Sequence, residues 1–341
     1  MIPHTHTLER AGRLILDARV RPALHPPKRL GRWIALAAAA IAALGASACA
    51  RKDTLKTLER VVLRDTVPAE ASIWLDVAGR VWVGRPGALT EYDSTGRRLG
   101  RMRVPISGAP EVLWTVPGRI YLRTAGAATV IDGAGKALAT RRSGSPLAAD
   151  PRGKWVYTAT RTGSVLGLGA QTLGPLWGWP DTGSPVSALA VSPLGDRVYV
   201  ALAGSEAHDV NAGIEIRDAL SGRLLSTYLT NGGVKALRAG PEGTLYGVLG
   251  GTVVALRHGP EGLKQVWSRD VGGIGHDNPD ALRVSPDGSR VAVLARGSEL
   301  NLLAAADGAV LEQSKRAPRD ATWDAAGRLW VLGAREIQIV R

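Results

Sequence analysis

The strongest constraint on this chain is a repeat. Seven times after residue 75, a turn glycine is followed by a short run that alternates in polarity. The instances are D-V-A-G-R-V-W-V (76–83), T-V-P-G-R-I-Y-L (115–122), D-P-R-G-K-W-V-Y (150–157), S-P-L-G-D-R-V-Y-V (192–200), G-P-E-G-T-L-Y-G (240–247), S-P-D-G-S-R-V-A-V (285–293) and D-A-A-G-R-L-W-V (324–331). Their glycines, Gly79, Gly118, Gly153, Gly195, Gly243, Gly288 and Gly327, lie 35 to 48 residues apart. Pro or Asp ahead of Gly is turn chemistry, because Pro presets φ and Gly accepts positive φ without a Cβ clash. The runs that follow are β-branched or aromatic, as half-buried strands are. Most units carry a second turn, as at Asp93–Gly96, Asp132–Gly135, Asp218–Gly222 and Asp307–Gly308. Each unit therefore holds four strands, the signature of a propeller blade. A single blade cannot bury both faces, so the expected fold is all-β, a seven-bladed β-propeller of four-stranded blades.

The two ends of the repeat fit together. The last unit supplies only three strands, Arg319–Trp323, Arg328–Gly333 and Arg335–Arg341, while an orphan strand, Leu58–Thr66, precedes the first. That strand is expected to complete the last blade from outside and to protect its edge. Residues 58–341 then form one closed domain.

Two stretches carry a family resemblance. A-L-A-V-S-P-L-G-D-R-V-Y-V-A (188–201) and A-L-R-V-S-P-D-G-S-R-V-A-V-L (281–294) resemble the YVTN and WD-like repeats of bacterial envelope propellers. Neither stretch carries the Gly-His or Trp-Asp signature of true WD repeats. The resemblance implies the fold and not a function, since this fold serves many unrelated functions.

The N-terminal region has a different character. Trp33 to Leu44 is an unbroken apolar run preceded by Lys28, Arg29 and Arg32 and followed by Gly45, Ala46, Ser47, Ala48 and Cys49. It is shorter than the ~20 residues that a spanning helix needs. A basic n-region, a short apolar stretch and small residues before a cut site make a secretory signal, expected over residues 1–48. Ala46-Ser47-Ala48-Cys49 resembles the bacterial lipobox, which implies lipidation at Cys49, a lipidated tether over 49–57 and an outer-membrane lipoprotein facing the periplasm if the cell is Gram-negative. As the only cysteine, Cys49 also excludes an intramolecular disulfide framework and any cysteine-based zinc site. The formal charge of +13 falls to +8 without residues 1–48, which hold seven Lys and Arg against Glu9 and Asp17. The remaining arginines are spread between strands and no nucleic-acid motif is present, so no nucleic-acid partner is expected.

Two loops carry the polar residues best suited to a site. S-E-A-H-D-V-N-A-G (205–213) connects the second and third strands of the fourth blade, and G-G-I-G-H-D-N-P-D (272–280) enters the sixth. Both open on the same face of a propeller. Each holds a His-Asp pair followed by Asn, namely His208, Asp209 and Asn211, and His276, Asp277 and Asn278. Imidazole with carboxylate suits a metal or proton transfer, but Asp and Asn are also ordinary turn residues. These six are therefore candidate ligand contacts, with no catalytic or metal role assigned. No P-loop, dinucleotide fingerprint or nucleophile elbow is present, and no cofactor is expected.

The aromatic residues point to packing. Trp82, Tyr121, Tyr157, Tyr199, Tyr246 and Trp330 fall at matching places after their turns and are expected to form a layer between blades. Trp177 and Trp179 break that pattern and are expected to pack at an outer strand. Arg97, Arg98, Arg101, Arg103, Arg141 and Arg142 mark a solvated basic rim on the first two blades. The function expected is a lipid-anchored envelope module that binds or scaffolds a protein or an envelope polymer. The alternative is a propeller enzyme, a metal-dependent hydrolase, lactonase or lyase with its site on the loop face. It is similar to gluconolactonase-like propellers in architecture only. A quinone-type dehydrogenase ranks below both.

Overall fold

The computed structural model describes residues 57–340 except 64–65, 77–79, 94–96, 109, 117, 125–126, 143–145, 161, 181, 205–210, 272–280, 296–298, 315 and 317. The described residues form seven antiparallel sheets of four strands. Blade one holds β2 (Ser72–Leu75), β3 (Val81–Arg85), β4 (Ala88–Tyr92) and β5 (Arg98–Arg103). Blade two holds β6 (Glu111–Val116), β7 (Arg119–Thr124), β8 (Ala127–Asp132) and β9 (Ala137–Arg142). Blade three holds β10 (Leu147–Ala149), β11 (Trp155–Ala159), β12 (Val165–Gly169) and β13 (Pro175–Gly178). Blade four holds β14 (Val186–Val191), β15 (Arg197–Leu202), β16 (Gly213–Asp218) and β17 (Leu224–Leu229). Blade five holds β18 (Val234–Ala239), β19 (Leu245–Leu249), β20 (Thr252–Gly259) and β21 (Gly262–Asp270). Blade six holds β22 (Ala281–Val284), β23 (Arg290–Ala295), β24 (Glu299–Ala304) and β25 (Val310–Ser314). Blade seven holds β26 (Asp320–Trp323), β27 (Leu329–Leu332) and β28 (Glu336–Val340), with β1 (Thr57–Val62) as its outer strand. The first strand of every blade adjoins the first strands of its two neighbours, and the ring is closed.

The turn glycines explain how each blade folds back on itself. Gly118, Gly153, Gly195, Gly243, Gly288 and Gly327 all take positive φ, between 62° and 81°. That region strains any residue with a Cβ. Gly79 lies outside the described residues.

Closure follows the expected scheme with one difference in length. Glu59, Arg60, Val61 and Val62 pair with Ile339, Gln338, Ile337 and Glu336. Regular pairing stops at Val62, short of Thr66, because the chain then crosses the 333–335 turn. Leu63 N–H donates to the Arg335 carbonyl at 2.9 Å and Val67 N–H to that of Ala334 at 2.8 Å. Leu63 and Val67 join Ile73, Val83 and Tyr92 of blade one and Trp330, Ile337 and Ile339 of blade seven in one buried cluster. The same segment thus completes one blade and seals it to the next.

The expected aromatic layer is present. Trp82, Tyr121, Tyr157, Tyr199, Tyr246 and Trp330 are all buried. Trp179 is buried and stacks on Trp177 at 5.2 Å, so this pair packs rather than standing free. Outer-strand tryptophans also fill seams between blades. The Trp267 indole N–H of blade five donates to the Ala305 carbonyl of blade six at 2.9 Å, and its ring lies against Gly308. Trp179 of blade three lies against Gly222 of blade four in the same way. A Cβ on either glycine would collide with the indole, so ring and glycine fit as a pair.

The closing strand has two opposite faces, which makes its role testable. Val61 is 4% exposed and Val62 is 69% exposed. Val61→Asp should lower the unfolding free energy by about 3 kcal/mol or more, since it buries an unpaired charge. Val62→Asp should leave it nearly unchanged. Chemical denaturation of both variants checks the contrast.

Candidate functional site

Five of the six candidate ligand contacts, His208, Asp209, His276, Asp277 and Asn278, lie outside the described residues. Asn211 is exposed just before β16. Chain order places both loops where expected, one between β15 and β16 and the other between β21 and β22. Among the described residues, no cluster of three His, Cys, Asp or Glu side chains is placed to hold a metal ion.

The same end of the propeller carries a charged network that the sequence motifs did not disclose. Glu111 is the first residue of β6 and Arg123 its partner on β7. The Arg123 guanidinium donates to Glu111 Oε2 through both Nε and Nη2. Arg283 of blade six reaches across to Glu111 Oε1 of blade two at 3.5 Å and to Asp320 Oδ1 of blade seven at 3.4 Å. It also donates to the Ala321 carbonyl at 3.2 Å. Asp320 accepts the backbone N–H of Ile73, in blade one, at 3.0 Å. Four blades are thus tied by one set of charge-assisted hydrogen bonds.

Electrostatics holds these groups in fixed charge states. Burial pushes the Glu111 carboxyl up, but the Arg123 and Arg283 guanidiniums outweigh it and bring its pKa down to about 2. Arg238 of β18 is solvent-accessible yet ringed by protein. Desolvation, followed by repulsion from Arg283, lowers its pKa to about 10. The expected signal for such a cluster is a charged residue on the innermost strand of a blade, as in K-A-L-R (235–238) and A-L-R-V (281–284). Single-repeat motifs give no hint that Glu111 and Arg283 meet, because they are 172 positions apart.

A second arrangement lies at the seam between blades one and two. Trp74, Trp82, Glu91 and Gly100 are cross-strand partners in one transverse row through β2, β3, β4 and β5. Direct partners share a face, and this face packs on Leu122 and Ile131 of blade two. The two indoles stack at 5.3 Å with planes 19° apart. Asp76 Oδ2 accepts the Trp82 indole N–H at 3.2 Å and Arg80 Nε at 2.7 Å. Arg80 Nη1 reaches Glu91 Oε1 at 3.0 Å, and its guanidinium carbon lies 5.8 Å from the Trp82 ring centre. Burial raises the Asp76 pKa, but hydrogen bonds from the Arg80 backbone, Trp82 and the Arg80 side chain prevail and hold it below the usual carboxylate range. Together with Met102, Ile120, Gly118, Gly133 and Ala134, these residues line a cavity of about 700 Å³. That volume falls within the range of small-molecule sites, roughly 300–1,000 Å³.

The basic rim is also present. Arg97, Arg98, Arg101, Arg103 and Arg142 are exposed and Arg141 is half-buried. Arg97 pairs with Asp93 at 3.3 Å. Such a solvated pair contributes little to stability.

The channel network gives a pH prediction. A carboxyl whose pKa is depressed on folding contributes stability that is fully present above its ordinary value of 4.5 and is lost as pH falls toward about 2. Between about pH 5 and pH 2, wild type should therefore lose on the order of 3 kcal/mol more than Glu111→Gln. Urea unfolding across that range checks it.

No family model matches the chain, and no curated protein matches it in sequence. Among solved structures it is similar to the β-propeller domain of Myceliophteria thermophila Cps50 (Swd1), with a TM-score of 0.65 at 14% identity. The likeness covers 82% of this chain and 98% of that domain. At that identity the two share the fold alone.

Proposed function

We propose that this protein is a lipid-anchored cell-envelope β-propeller that binds or scaffolds a protein or an envelope polymer, without covalent chemistry of its own. The carrying observation is the state of its charged groups. Glu111 and Asp320 are paired with guanidiniums across the channel, and Asp76 and Asp324 are clamped by Arg80 and Arg328. Each of the carboxyls Asp76, Glu111, Asp218, Asp287 and Asp324 has its pKa moved down. Carboxylates held ionised in this way recognise charge and hold shape.

The anchor is Cys49, by its resemblance to a lipobox cysteine, and the location is the envelope, outer membrane in a Gram-negative cell. Thr57 enters β1 beside Val340, at the face that carries the turns between first and second strands. Eight residues span at most about 28 Å. A lipid anchor at Cys49 would therefore tether the start of β1 within that distance of the bilayer.

Two measurements test this. Cys49→Ser should release the mature protein from membranes on fractionation, and retention would rule out lipidation at this residue as the anchor. Crosslinking in native membranes should recover one reproducible partner, and recovery of the uncrosslinked protein alone would contradict the scaffold.

A further inference from the structure

The seam between blades one and two differs from the others at two positions of one row. Facing the buried aromatic of each second strand, the third and fourth strands carry Val130 and Ala139, Gly167 and Trp177, Ile216 and Ser226, Ala255 and Trp267, or Ile339 and Glu59. Blade six carries Leu302 and Glu312 in the same row. Only blade one places a carboxylate, Glu91, on the third strand and leaves the fourth empty at Gly100. Blade five fills the corresponding space with Trp267. A Cβ at Gly100 would meet one atom within 4 Å, Glu91 Oε2 at 3.5 Å. Arg80 engages the other oxygen, Oε1, at 3.0 Å, and the Glu91 side chain is 15% exposed.

Blade seven supplies an internal control. Asp324, Arg328 and Trp330 reproduce the clamp of Asp76, Arg80 and Trp82, with Arg328 Nε at 2.7 Å from Asp324 Oδ2 and Trp330 Nε1 at 3.0 Å. Where blade one has Glu91, blade seven has Ile339. Blade seven carries its extra carboxylate, Glu59, on the exposed outer strand, whereas blade one sets Glu91 on the third strand, 15% exposed and beside two tryptophans. Arg101 and Arg119 also border the cavity. However, Gly100 and Met102 share the cavity face of β5, as Ile120 does on β7, and strand alternation turns Arg101 and Arg119 away.

We propose that this cavity is a binding site for a small organic ammonium, an amine carried on a flat apolar body. Glu91 Oε2 takes the cation, and the Trp74, Trp82, Met102 and Ile120 surfaces take the body. Cations are favoured beside indole rings and carboxylates alike. Arg80 already shows the preference, since its guanidinium sits against Trp82 and bridges both carboxylates. It is 52% exposed and acts as a built-in competitor that a ligand displaces from Glu91. The site goes beyond the scaffold reading and holds whether or not Cys49 is lipidated.

The test is a calorimetric and tryptophan-fluorescence titration of the full chain with phenethylammonium, 3-phenylpropanol and 3-phenylpropanoate at low salt. Phenethylammonium should bind at least tenfold more tightly than the alcohol, and the carboxylate more weakly still. Glu91→Gln should weaken the ammonium at least tenfold, and Gly100→Trp should abolish its binding with the melting temperature kept or raised. Arg80→Ala should tighten binding several-fold. Four results would each overturn the proposal: no ammonium binding at millimolar concentration, no preference over the alcohol, a preference for the carboxylate, or loss of binding in Arg80→Ala. Unchanged affinity in folded Gly100→Trp would place any binding elsewhere and overturn it as well.

Discussion

The pairing of β1 with β28 is the interaction on which the rest depends. Six blades are built from consecutive strands, but the seventh is shared between the two ends of the repeat. Without β1, the Ile337 and Ile339 strand would be an open edge, and the cluster joining Val61, Leu63 and Val67 to blade one would lose its lid. An open edge invites pairing with other chains. Closure also fixes the distance across the channel. Arg283 can reach Glu111 only because blades two and six face each other across a closed ring.

Closed in this way, the ring uses charge differently at its centre and at its seams. In the channel, Glu111 and Asp320 are met by Arg123 and Arg283, so one half-buried and one fully buried carboxylate are satisfied by guanidiniums from other strands and blades. At the outer seams, tryptophans fill the gaps in blades three and five, while blade one keeps a cavity with an ionised pair at its wall. The Asp–Arg–Trp clamp appears in blades one and seven, the two blades that β1 and the following segment join. There it ties the second strand to the aspartate that follows the first and orients the indole toward the next blade.

Much of this architecture was legible because it is written locally and repeated. The turn glycines, the aromatic layer and the orphan strand depend on residues a few positions apart, and each unit repeats the same chemistry. The candidate site was less legible, for a physical reason. Glu111, Arg283 and Asp320 look like ordinary strand charges until three blades bring them together. Gly100 has no turn chemistry, and its meaning is an absent side chain, seen only beside Trp267 and Trp177 in the same row. The residues that did stand out, His208 and His276 with their neighbours, stood out by composition, and loop composition carries no information on convergence. Asn211 alone of that set is described, and it is exposed.

Native-state hydrogen exchange across β1 tests ring closure most directly. If β1 completes blade seven, its amides bonded to β28 exchange only with global unfolding of the propeller, at the same free energy as the centre of β27. Exchange of those amides at low free energy, while β27 and β28 stay protected, would show a ring that does not need its first strand and would contradict closure by the chain's two ends.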